Sequence, residues 1–173
     1  MATAQTSTSK SASSSGVTKS GRASARPDDA VSLLMADHRK VEDLFKQYEK
    51  AKKDETKKQA IFQQISTELK VHTQIEEEIF YPASREFVDD AEMVNEAEVE
   101  HASAKDLIAQ LDGMAPSDPY YDAKVKVLQE MIEHHVEEEE TEYFPECRES
   151  DMDLKAIGEQ LEARKLELAG KTR

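Results

Sequence analysis

From Asp28 onward, apolar side chains recur at intervals of three and four residues, and no stretch alternates as a strand would. That period predicts helices over 29–52, 55–81, 90–111 and 119–144, with a fifth, shorter one over 151–168. The boundaries have local causes. Asp54 and Asp90 stand where N-caps are needed, Asp118 precedes Pro119 at a first helical position, and Pro82 and Pro145 are expected to stop the second and fourth helices. The loop from Asp112 to Ser117, with Gly113 and Pro116, separates the third and fourth. Each long helix spans on the order of 30–40 Å. Their short connections force sequential neighbours antiparallel, so the pattern predicts an all-α, up-down-up-down four-helix bundle. Leu154, Ile157, Leu161 and Leu168 give the fifth helix one apolar side with which to dock. Residues 1–27, rich in Ser, Thr, Ala and Lys, carry too little apolar surface to offset their ordering entropy and read as a disordered tail. The domain is then 28–173.

Sliding the sequence on itself by 63 positions pairs His38 with His101, His72 with His135, Glu76 with Glu139, Glu77 with Glu140, Pro82 with Pro145 and Arg85 with Arg148. Core positions match in kind: Leu44 with Leu107, Phe45 with Ile108, Ile65 with Leu128, Leu69 with Ile132 and Tyr81 with Phe144. The bundle is therefore a duplicated helical hairpin. The same offset separates two adjacent histidines. His135 falls opposite His72, whereas His134 falls opposite Val71 and reads as a plain neighbour.

The apolar stripe Ile61, Ile65, Leu69 and Ile79 is interrupted in register by His72 and Glu76. The fourth helix repeats this, Leu128 and Ile132 leading to His135 and Glu139. His38 lies between Leu34 and Val41, and His101 among Ala97, Ala104 and Ile108. All four helices thus aim a histidine inward. Two carboxylates facing each other in a core are costly without positive charge, and the stripe contains no lysine or arginine to supply it. A histidine with a glutamate four residues on places both on one helix face, so four imidazoles and two carboxylates read as a dinuclear metal site. Any one of these residues alone would be better read as a satisfied core histidine or a snorkelling glutamate; the matched set is not. Nitrogen and oxygen donors suit iron, manganese or zinc and exclude iron–sulfur or thiolate-zinc chemistry.

Charge narrows the partners. The chain carries 23 basic and 37 acidic residues, and four of the basic but none of the acidic precede residue 28, which leaves −18 on the domain. Such a surface repels nucleic acid and anionic lipid. The single cysteine, Cys147, forms no internal disulfide, and the chain has neither a bilayer-spanning apolar run nor a secretory signal, so a cytoplasmic location is expected. Cys147 reads as a small buried thiol, Lys105 as a water-facing lysine, and Glu137–Glu140 as a solvated run apart from Glu139. No role falls to Tyr48, Tyr81, Tyr120, Tyr121 or Tyr143 beyond packing.

His38, His72-x-x-x-Glu76 trailed by Phe80-Tyr81-Pro82, His101, and His135-x-x-x-Glu139 trailed by Tyr143-Phe144-Pro145 resemble the hemerythrin-like (HHE cation-binding) family over roughly residues 29–150. The resemblance implies two non-haem iron ions, the histidines as terminal ligands and Glu76 and Glu139 as bridges. It also implies a small diatomic or peroxide ligand: dioxygen, hydrogen peroxide or nitric oxide, bound, sensed or reduced in oxidative or nitrosative stress or in iron homeostasis. Oxygen-carrying members have an extra histidine one turn from the third-helix ligand, where this chain has Ala97 and Lys105. That difference implies the branch with four histidines and two glutamates, and redox reaction rather than reversible oxygen carriage. A catalase-like or nitric-oxide-reactive enzyme predicts turnover; a non-catalytic sensor or storage module, signalling through the tail or fifth helix, predicts a stoichiometric change. A ferritin-like site would need two Glu-x-x-His motifs, of which only Glu98 with His101 is present.

Overall fold

The computed structural model describes Met1, residues 29–51 and residues 53–171. The expected disordered tail falls outside the described residues. The helical elements are α1 Ala30–Ala51, α2 Glu55–Ile75, a π-helical turn Glu76–Phe80, α3 Tyr81–Ser84, α4 Ala91–Asp112, α5 Tyr121–Glu138, a second π-helical turn Glu139–Tyr143, α6 Phe144–Glu149 and α7 Leu154–Lys171. With each π-turn joining its flanking helices into one rod, they make four long antiparallel rods and a fifth helix, the predicted architecture. α1 packs on α2 and α4 on α5, so each half of the repeat is a hairpin.

Asp54 and Asp90 cap as predicted, accepting from the backbone N–H groups of Lys57 and Met93. Asp29 does the same for α1 through Ser32, at 2.8 Å. Two boundaries differ from expectation. The Asp118 side chain accepts from the N–H of Tyr120 at 2.8 Å, closing a local turn, and α5 begins at Tyr121. That later start turns Tyr121 into the core while Tyr120 stays exposed. Pro82 and Pro145 do not end their helices. Each follows a π-turn whose closing bond spans five residues, from the Tyr81 N–H to the Glu76 carbonyl and from the Phe144 N–H to the Glu139 carbonyl. An α-helical proline lacks one bond and crowds the carbonyl four residues back; the wider turn before it eases the crowding, and the rod continues.

The core has two apolar layers. One gathers Leu34, Ile75, Phe80, Tyr81, Val94, Tyr143, Phe144 and Cys147, with Ile157 and Leu161 of α7. The other gathers Val41, Phe45, Phe62, Ile65, Leu69, Ala104, Ile108, Leu128 and Ile132. Residues 38, 72, 101, 135 and 139 lie between them in sequence, residue 76 lies between Ile75 and Phe80 of the first, and all six are buried. α7 begins at Leu154, with Asp153 accepting from the Ala156 N–H at 2.9 Å, and lies against the first hairpin. Gly158 permits the approach: a Cβ there would sit 2.8 Å from the Ala30 backbone nitrogen. Among the described residues no helix is long and apolar enough to cross a membrane.

Candidate metal centre

All six predicted residues converge. The Nε2 atoms of His38 and His72 stand 3.1 Å apart, as do those of His101 and His135. Glu76 Oε2 lies 3.2 Å from His72 Nε2 and 3.5 Å from His101 Nε2. Glu139 Oε2 lies 3.3 Å from His38 Nε2 and 3.5 Å from His135 Nε2. Each carboxylate therefore touches one histidine of each hairpin. Two donor groups result, His38 with His72, Glu76 and Glu139, and His101 with His135 and Glu76.

Outside the histidines is a ring of acids. His38 Nδ1 is 2.8 Å from Glu140, His101 Nδ1 is 3.0 Å from Glu77, and His135 Nδ1 is 2.9 Å from Glu100. Asp37 lies 3.6 Å from His72 Nδ1, a longer ionic contact. Asp37 and Glu100 are one repeat-related pair, Glu77 and Glu140 the other. A carboxylate on Nδ1 holds the proton there and leaves Nε2 with a bare lone pair aimed at the centre. Cations steady the acids in turn: Lys165 on Asp37, Lys105 on Glu77 and Arg39 on Glu140. Sequence reasoning missed this ring. Its signal was present at the 63-residue offset, but an acid beside a presumed ligand reads as solvated surface. Glu140 thus leaves the solvated run in which it was placed, and Lys105 is tied to an acid that orients His101.

The π-turns start at the two inward glutamates. Their extra residue per turn lets both aromatic residues that follow return to the core, where Phe80, Tyr81, Tyr143 and Phe144 are all buried. Phe144 stacks on His38 with ring centroids 5.8 Å apart, and Tyr81 stacks on His101 at the same separation. The repeat breaks here: the Tyr81 hydroxyl donates to Glu139 Oε1 at 2.9 Å, whereas its counterpart Phe144 has no hydroxyl to offer Glu76. Tyr143 bonds Ser84 at 2.6 Å instead. Cys147 is buried, and that burial pushes its thiol up to about 12, so it is a core thiol as expected.

Both oxygens of Glu76 and Oε2 of Glu139 are buried without a hydrogen-bond donor. Such acceptors, set against imidazole nitrogens, are destabilising unless a positive charge, a proton's or a cation's, joins them. The donor set fits a hard or borderline cation pair with no residue in surplus. Without a cation, protons do part of that work. Burial, and then the Glu139 charge beside it, holds the Glu76 carboxyl well above the usual range. Burial opposes ionisation of Glu139 too, but His135 and His38 overcome it and hold that carboxyl down to about 2. His38, against its burial, is raised to about 8 by Glu139 and Glu140, while burial and the neighbouring His135 lower His101 to about 2. A cation must displace the protons on His38 and Glu76, so binding releases protons. Divalent-metal affinity should rise as pH passes upward through about 8 and fall steadily below it. Competition titrations between pH 6 and 9 check this, and a flat or reversed profile would refute it.

The model of the hemerythrin HHE cation binding domain family matches residues 29–147. A relative described as a DNA nickase, from a Nostoc species, is 32% identical over 116 residues; these are 67% of this chain and 32% of that protein, so the chain spans about a third of its length. The crystal structure of a hemerythrin HHE cation binding domain-containing protein from Mycobacterium kansasii superposes with a TM-score of 0.71 at 25% identity, covering 83% of this chain and 88% of that one.

Proposed function

The chain belongs to the hemerythrin HHE cation-binding family, and from that premise we propose that it holds two non-haem iron ions and uses them to react with, or sense, dioxygen, hydrogen peroxide or nitric oxide. His38 and His72 would serve one ion and His101 and His135 the other, with Glu76 and Glu139 shared between them. The observation that carries this reading is three buried carboxylate oxygens without a hydrogen-bond donor, both of Glu76 and Oε2 of Glu139, on two glutamates that each face imidazole nitrogens from both hairpins. When bound, iron supplies one-electron steps and open positions for a small ligand. The chain's own part is to orient and to insulate. Glu77, Glu100 and Glu140 keep three imidazoles turned inward, and Tyr81 holds one oxygen of Glu139 aside so that the other faces the centre. The two apolar layers exclude water. The activity named for the Nostoc relative is not carried over, because a domain with a charge of −18 repels a polyanion.

Elemental analysis of purified chain after exhaustive dialysis tests the first half; about two irons per chain are expected. No iron after anaerobic ferrous reconstitution would sink the proposal. Peroxide consumption under excess then separates the two forms of the second half. Turnover marks an enzyme, and a single stoichiometric spectral change marks a sensor or store.

A further inference from the structure

The two hairpins match in their inner residues but not on their outer faces. On the first, α7 lies over the rods and Lys165 grips Asp37 with both carboxylate contacts at 2.5–2.6 Å. On the second, the equivalent acid, Glu100, is met by imidazoles: His135 inside at 2.9 Å and His134 outside at 3.9 Å. His134 also lies 3.3 Å from Glu138. The first hairpin has Val71 and Ile75 at the corresponding positions. Glu100, His134 and Glu138 therefore place one nitrogen and two carboxylate oxygens within 4.8 Å of one another, at the surface, with His134 58% exposed.

A narrow cleft of about 10 Å³, roughly the size of one water, opens at this cluster. Glu100 and Glu138 line it together with His135 and Glu139, and Met93, Val94, Ala97 and Tyr81 form its apolar wall. One of its lining residues, Glu139, has the buried oxygen without a donor. The cleft thus runs from two members of the exposed cluster, Glu100 and Glu138, to His135 and Glu139 of the buried layer, with His134 at the outer side of Glu100 and Glu138.

We propose that Glu100, His134 and Glu138 form an outer, exchangeable site for a divalent cation, from which the ion is passed along the α4/α5 cleft to the inner carboxylates. Its capture step stands on these three residues alone; the transfer step rests on the metal-centre reading above. Two carboxylates and one imidazole give a hard, mostly oxygen donor set that suits a ferrous or manganous ion. Its solvent exposure makes it weak beside the inner pair, as a loading site must be if it is to release its ion.

The test uses Mn²⁺ as probe, with free Mn²⁺ counted by its paramagnetic resonance signal, on iron-reconstituted and dialysed full chain. Wild type should take up one Mn²⁺ beyond its inner iron. His134→Ala and Glu138→Gln, which leave the core untouched, should each weaken that uptake at least roughly tenfold with the inner iron count unchanged. Ferrous uptake into iron-free chain should slow several-fold in both variants and reach the same final content. Equal Mn²⁺ uptake by wild type and variants, or none by wild type, would overturn the outer site. Unchanged ferrous uptake rates would overturn the transfer. If every protein lacks inner iron, the metal-centre reading fails, while the difference in Mn²⁺ uptake still decides the outer site.

Discussion

Replacing Glu76 with leucine should abolish the paired metal content and at the same time leave the metal-free chain more stable than its metal-free parent. The two effects have one cause. Glu76 is fully buried, neither of its oxygens finds a donor, and burial with the Glu139 charge keeps it protonated. In the metal-free chain its one proton can serve only one of the two imidazole nitrogens it faces, so its burial still costs free energy, and an apolar side chain of similar volume removes that cost. An unsatisfied buried polar group costs about 1–3 kcal/mol, so its removal should raise the Tm by roughly 2–4 °C per kcal/mol in a chain of this size. Its repeat partner should behave in the opposite way. Glu139 is ionised, lies against His38 and His135, and accepts from Tyr81. Removing it leaves the positive charge on His38 with Glu140 alone, so Glu139→Leu should lose the metal and destabilise the metal-free chain, by up to about 3 kcal/mol. Elemental analysis and calorimetry on the two variants check both halves. Equal Tm shifts for the pair would show that the inequality between these carboxylates is not real.

Removing metal from the wild type should lower its Tm substantially. A ligand that binds only the folded state at a thousand times its dissociation constant contributes about 4 kcal/mol. At roughly 2–4 °C per kcal/mol that is a fall of roughly 8–16 °C. The direction follows from the centre's position between two apolar layers, where it ties four rods together. Differential scanning calorimetry before and after anaerobic chelation measures the shift. A Tm that does not move, on protein shown to have carried metal, would mean that the six residues are as well satisfied by protons as by cations.

The inner residues were legible because duplication wrote them twice. A histidine or glutamate on an apolar face means little once, but the same residue 63 positions on, in the same helical register, reports a shared environment. The register that favoured His135 over His134 agrees with the structure, which buries the first and exposes the second. Two features were not legible. Pro82 and Pro145 were read as stops because local chemistry says so; the π-turns that carry the rods past them are set by the need to bring Phe80, Tyr81, Tyr143 and Phe144 over the centre. The outer acids were missed because a charge one residue from a buried position normally faces water, and only tertiary packing brings Glu77 to His101 or Glu140 to His38. The asymmetric cover of α7 depends on the close approach at Gly158, which nothing in that helix's apolar pattern signals.

The way each glutamate straddles the hairpins has a consequence for how the molecule opens. Glu76 belongs to the first hairpin and reaches His101 of the second; Glu139 belongs to the second and reaches His38 of the first. Neither half can assemble its own complete set. A cation pair bound there adds a polar seam to the apolar layers that the two hairpins share, and while it holds, neither hairpin can unfold without surrendering it. Loaded protein should therefore behave as one cooperative unit, whereas stripped protein can open hairpin by hairpin, with amide protection diverging between the α1/α2 half and the α4/α5 half.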